Sequence, residues 1–251
     1  MGTIQSRPYG SLGVLALSVL SVLMLSCADA QEKEKKEKES RPIDEIGKCF
    51  YVWKDDGVPG KFVPSGFMPD GEGISQGTAE TDTPHSRPHC IRLHAQLSEK
   101  PWVGIYFLLE GEWEPKGKPF NLFEQLGAKK GDPIKCRFWA RSKKGATVQF
   151  KVGGVTKGKI ADSLTFPVAT PWITLTPEWK RYEIDLTGKD LSSLVGGFVW
   201  VCDRMHNDEG DVTFDLDDIY FVKTKPESKE SNKVLPATKS ASEEGEKGEP
   251  K

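Results

Sequence analysis

The alternation in IKCRFWARS, residues 134–142, constrains this chain more than any other feature. Ile134, Cys136, Phe138 and Ala140 fall on one side of an extended strand, and Lys135, Arg137, Trp139 and Arg141 on the other. Successive strand side chains point to opposite faces, so one face is built for a core and the other for water. Comparable runs recur at CFYVW (49–53), CIRLHAQL (90–97), WVGIYFLL (102–109), TVQFKVGG (147–154), WITLT (172–176), KRYEIDL (180–186), GFVWVCD (197–203) and VTFDLDDIYFV (212–222). Gly, Pro and Asp separate them, as they do between strands. The one helix-like stretch of note, around Asn121–Leu126, is short. About nine strands without helical crossovers predict an all-β fold, an antiparallel two-sheet β-sandwich of jelly-roll type.

The ends lack this pattern. The first residues carry one base, Arg7, then an apolar run from Val14 to Leu25, then small residues. That is the layout of an export signal. The run is about 12 residues long, too short to cross roughly 30 Å of hydrocarbon as a helix. Two processing readings stay open. Cleavage after Ala28-Asp29-Ala30 would make Gln31 the first residue. A lipobox-like Leu25-Ser26-Cys27, with Met24 where Leu is usual, would make Cys27 the lipidated first residue. MGTIQS also matches a myristoylation pattern, which an export signal behind it makes accidental. The expected organisation is a leader over 1–27, a charged spacer over 28–41, a β-sandwich domain over 42–223 and a polar tail over 224–251. Spacer and tail have too little apolar surface to offset the entropy of ordering. The domain, at about 180 residues, is long enough for a proper core. The expected location is the bacterial cell envelope as a lipoprotein, or the periplasm or exterior.

A formal net charge of −2, with no basic block interleaved with aromatics, argues against a nucleic-acid partner. With Cys27 set aside, four of the five cysteines remain: Cys49, Cys90, Cys136 and Cys202. Export permits disulfides, and no Cys-x-x-Cys spacing points to zinc. Bridged cysteines, in any of three pairings, and buried thiols both stay open.

The segments FVPSGFMPD (62–70), PHSRPHCIRL (84–93), WVGIYF (102–107), FWARSKKG (138–145), FKVGG (150–154), LTPEWKRYEIDLTGKDLSSLVGGFVWV (175–201) and FDLDDIYF (214–221) together cover nearly the whole domain. They resemble secreted bacterial domains of the galactose-binding-like jelly-roll type, which include many carbohydrate-binding modules. The resemblance implies a non-catalytic, sugar-binding module without an obligatory cofactor. It is more specific for fold than for ligand.

A sugar ring offers an apolar C–H face and a rim of hydroxyls, so it wants a flat aromatic and a few hydrogen-bonding groups. If strands 102–109, 134–142 and 147–154 are neighbours in one sheet, its outer face offers Trp139, Arg141, Gln149 and Lys151, joined by Trp102 and Tyr106. Trp113, in the loop-like EGEWEPKGKP, is a rim candidate. Trp172 and Trp179 are expected to close the sandwich. Two other functions stay open. One is a cell-envelope scaffold or protein-interaction domain. The other is a hydrolase using a loop carboxylate such as Glu110, Glu112 or Glu114, although catalysis needs a second acid across a cleft. No GxSxG is present, and Ser65 and Ser163 sit in turn-like contexts. His85 and His89, in the proline-bounded PHSRPH, read as loop hydrogen-bonders rather than metal ligands. Gly153-Gly154 and Gly196-Gly197 read as strand-end turns or bulges.

In FDLDDIYF the apolar rhythm slips by one residue at Asp217-Asp218, as it does at a β-bulge. Two readings compete. In one, a carboxylate accepts backbone N–H groups at the bulge and the other faces water. In the other, which the resemblance implies, Asp217 or Asp218 joins Asp55 and Asp56 around a structural calcium. Calcium needs six to eight oxygens, and the sequence does not display a full set.

Overall fold

The computed structural model describes residues 44–54, 61–98, 100–208 and 210–226. The expected leader, Cys27, the spacer, Asp55, Asp56 and all but the start of the tail lie outside them. Among the described residues, no helix is long and apolar enough to cross a membrane.

The strands are β1 (Glu45–Trp53), β2 (Phe62–Met68), β3 (Ile74–Glu80), β4 (Cys90–Ala95), β5 (Trp102–Leu109), β6 (Ile134–Arg141), β7 (Thr147–Val152), β8 (Val168–Ala169), β9 (Ile173–Thr174), β10 (Lys180–Asp185), β11 (Gly196–Asp203) and β12 (Val212–Thr224). They form two six-stranded antiparallel sheets. Sheet I runs β10-β6-β12-β4-β3, and β1 pairs with the second half of β12 where β4 leaves off. Sheet II runs β2-β5-β11-β7-β8, with β9 also on β7. The fold is the antiparallel two-sheet β-sandwich the alternation called for.

The inward side chains interlock between the sheets. Phe138 of sheet I meets Phe150 and Phe198 of sheet II at centroid distances of 4.6 and 5.0 Å. Trp200 packs edge-on to Phe214 at 5.2 Å. Each such ring, fully buried, contributes about 1.5–3 kcal/mol. The single helix among the described residues, α1 (Leu122–Leu126), closes one end with buried Leu122 and Leu126. The Asn121 side chain accepts from Phe123 N–H at its start, and Gly127 in the left-handed region ends it.

No disulfide joins Cys49, Cys90, Cys136 and Cys202. Of the two readings, the unbridged one holds, because the three inner cysteines act as small apolar side chains in strands. Burial pushes the Cys90 thiol up to about 12.

One expectation is corrected here. β6 and β7 are consecutive in sequence but lie in different sheets. The short turn between them crosses the sandwich edge, with Ser142 Oγ accepting Ala146 N–H and donating to Thr213 O. Trp139 and Arg141 therefore share no face with Gln149 and Lys151.

Candidate functional site

Sheet II brings five of the predicted residues to one face. Directly opposed residues share a face, and the register gives two rows. One row is Gly66, Tyr106, Val199 and Lys151; the next is Met68, Gly104, Val201 and Gln149. All lie opposite the core set of Val103, Ile105, Phe107, Val148 and Phe150. Trp102 stands at the end of the same strand face, 38% exposed. Trp113 comes in from the β5–α1 loop, 43% exposed, edge-on to Tyr106 at 5.3 Å.

Two glycines make this possible. A Cβ on Gly66 would lie 3.0 Å from the Trp113 ring and 2.7 Å from Tyr106 Cβ. A Cβ on Gly104 would meet the Trp200 carbonyl at 2.5 Å. Missing side chains thus let Trp113 rest on the sheet and keep the floor low. A glycine inside an apolar strand was a visible signal for Gly104; nothing local marked Gly66.

The Tyr106 phenol crosses β11 and donates to Gly153 O at 3.4 Å, covering Val199. Burial raises its pKa, with Asp162 behind it adding to the effect. Asp162 accepts the N–H groups of Val155, Val195 and Gly196. It thereby pins the loop after β7 to the start of β11. Burial pushes its carboxyl up to about 6 despite these donors. Sequence reasoning missed this residue, since a lone aspartate in a loop carries no signature. Gln149 donates through Nε2 to Thr170 O at 3.0 Å, which leaves its amide oxygen as an acceptor. Beyond Trp102 the face continues into a cavity of about 470 Å³ lined by Pro101, Trp102, Val201, Asp203, Arg204 and Met205. Trp172, expected to close the sandwich, is half-buried and stacks on His206 at 4.1 Å.

The outer face of sheet I is occupied by the chain itself. Residues 81–89, between β3 and β4, lie across it as a strap. His85 stacks on Trp139 at 3.8 Å and 18°. Arg141 donates through Nε to Asp215, through Nη1 to Thr83 Oγ1 and through Nη2 to Asp82 O. Trp179, also expected to close the sandwich, lies over the Arg141 guanidinium at 4.6 Å and donates to Thr83 O at 2.9 Å.

The strap ends on the FDLDDIYF motif of the last strand. Asp217 pairs with Trp139 and Tyr220 with Arg137, so Asp218 and Ile219 share the place opposite Phe138. That is the expected bulge, with Asp218 at φ 45°. Asp217 is fully buried and accepts Ser86 N–H at 2.9 Å and Asp218 N–H at 2.8 Å. Asp218 does not face water: it meets His85 Nδ1 at 2.8 Å and Ser86 Oγ at 3.0 Å. Burial first, and the Asp218 charge second, push the Asp217 carboxyl up to about 7. Among the described residues, His85, Asp217 and Asp218 converge closely enough to address one cation, their ligand atoms within 4.8 Å of one another. This donor set contains an imidazole and falls short of the oxygens calcium takes. A calcium here would need further oxygen ligands; Asp55 and Asp56, the other two residues expected around it, lie outside the described residues.

No family model matches the chain, and no curated protein matches it. Three solved structures with similar chain paths are carbohydrate-binding modules. A family 30 module is 18% identical, with 76% of this chain and 93% of that one covered and a TM-score of 0.45. A second family 30 module, from a cellulosomal cellulase of Clostridium thermocellum, is 17% identical over 70% and 98%, with a TM-score of 0.48. The third, TmCBM61 in complex with β-1,4-galactotriose, is 19% identical over 69% and 98%, with a TM-score of 0.38. At such identity and overlap, the ligands of those modules say nothing about a ligand here.

Proposed function

We propose that this protein is an exported, non-catalytic module that binds carbohydrate on the outer face of sheet II. The observation that carries the reading is the exposed Trp113 and Trp102 flanking Tyr106 on the strand face that also carries Gly104 and Val201, with Gln149 and Lys151 alongside. Trp102 and Tyr106 are four residues apart, about 13 Å along a strand, which leaves room for more than one sugar ring. Stacking on the indoles would hold the C–H faces. The Gln149 side-chain oxygen, oriented by the hydrogen bond its Nε2 donates to Thr170 O, would accept from a hydroxyl, and Lys151 would donate to one. Export rests on the leader-like residues 1–30, with lipidation of Cys27 and free release as its two forms.

Affinity electrophoresis against a polysaccharide panel tests the reading. Trp113→Ala is expected to weaken retardation about 10- to 100-fold, the scale of losing an interfacial aromatic anchor. Trp139→Ala is expected to leave it unchanged. The opposite result would move the site to sheet I. A panel in which no polysaccharide retards the wild-type protein would replace the sugar reading with an envelope scaffold.

A further inference from the structure

We propose that the sugar polymer bound on sheet II is anionic, and that the Lys151 ammonium recognises its carboxylate or sulfate group. This rests on the sugar-binding reading of that face.

The geometry is specific to this lysine. Lys151 lies in the row of Tyr106 and Val199, between β11 and the two-residue strand β8, opposite Val199 on one side and Ala169 on the other. Both neighbours are apolar. It is half-buried, and among the described residues no acid or carbonyl pairs with its ammonium. Burial alone lowers its pKa, with no opposing charge to restore it. The other described lysines of intermediate exposure differ: Lys100 has Asp70 and Glu72, Lys135 has Glu183, Lys223 has Asp132, and Lys54 lies over the Tyr51 ring.

Three of the acids near the face are turned to other partners. Asp162 is held by three backbone N–H groups. Asp203 accepts from His206. Glu110 turns its carboxylate back against Gly117. Glu112 and Glu114 are exposed beside Trp113, in a turn that also carries Lys116 and Lys118. A half-desolvated cation without a counter-ion is unfavourable in the free protein. An anionic group brought by the ligand relieves that cost through a charge-assisted hydrogen bond. A neutral hydroxyl relieves less of it.

The test measures binding of the full chain to polygalacturonic acid, dextran sulfate, neutral β-1,4-galactan and neutral dextran, at two salt concentrations. Wild type is expected to bind at least one acidic polymer about tenfold or more tighter than both neutral ones, and less tightly at the higher salt. Which acidic polymer binds separates uronate from sulfate. Lys151→Gln, with its melting temperature checked against wild type, is expected to remove the preference. Equal binding of neutral and acidic polymers, or an acidic preference that survives in Lys151→Gln, overturns the inference and leaves the sugar reading standing. Binding to none of the four, nor to any wider panel, overturns both.

Discussion

Sheet I and sheet II each turn an aromatic and basic strand face away from the core, and the chain treats the two faces in opposite ways. On sheet I the strap lays His85 on Trp139 and gives Arg141 partners for all three of its guanidinium nitrogens. On sheet II, Trp113 and Trp102 stay about two-fifths exposed and Lys151 keeps no partner among the described residues. The difference teaches that an alternating strand shows which side chains leave the core but not whether a loop then covers them. The covered face is a device for stability. The open one can act on another molecule.

That division predicts a separation of phenotypes. The largest expected effect is on the covered face. Arg141→Ala removes a buried guanidinium that ties Asp215 to Thr83 and Asp82. It should lower unfolding free energy in urea by about 3 kcal/mol, the low end for breaking a buried ion pair, because Asp215 keeps Arg92. Sugar binding on sheet II should survive it. Loss of binding at temperatures where the variant is still folded would show that the two faces are coupled.

Next comes the support beneath the open face. Burial pushes the folded Asp162 carboxyl up to about 6, above the ordinary aspartate value of 3.8. A raised folded pKa means its contribution is complete below about pH 4 and is lost as pH rises through about 6. Two pH units at 1.36 kcal/mol each put that loss at about 3 kcal/mol as an upper bound. Asp162→Asn cannot ionise. The wild-type minus variant difference in unfolding free energy should therefore fall between pH 4 and pH 7. A flat difference would mean that the three backbone N–H groups hold the carboxylate ionised throughout.

Trp113→Ala sharpens the contrast from the other side. It should cost about 1 kcal/mol of stability, as the loss of a part-buried side chain does, while weakening polysaccharide binding about tenfold or more. A melt with and without chelator gives the smallest signal. With Asp217 and Asp218 already served by Ser86 and His85, added calcium should move the melting temperature by less than about 2 °C. A larger rise, abolished in Asp217→Asn, would establish the calcium reading and bring the chain around Asp55 and Asp56 into the site.

Much of this was legible before any coordinates, because it depends on local periodicity. Alternation placed Phe138 inward and Trp139 outward from residues 134–142 alone. A one-residue slip located the bulge at Asp217-Asp218, since an extra residue in a strand must interrupt the rhythm. The short helix around Asn121–Leu126 was visible as the one helix-like stretch of note. The grouping of the site was not legible. Gln149 and Lys151 follow Trp139 closely in sequence, but a turn at a sandwich edge can continue one sheet or cross to the other, and no local signal distinguishes the two.

By itself, then, the sequence determined the fold class, the inward and outward faces of its strands and the kink in the last of them, because each follows from the two-residue period of the extended chain. Only the tertiary structure decided that the strap meets Trp139 and Arg141, that Trp113 rests on Gly66 beside Tyr106, and that Lys151 has no counter-ion among the described residues. Those contacts join residues distant along the chain, and they are set by how two sheets and their loops pack.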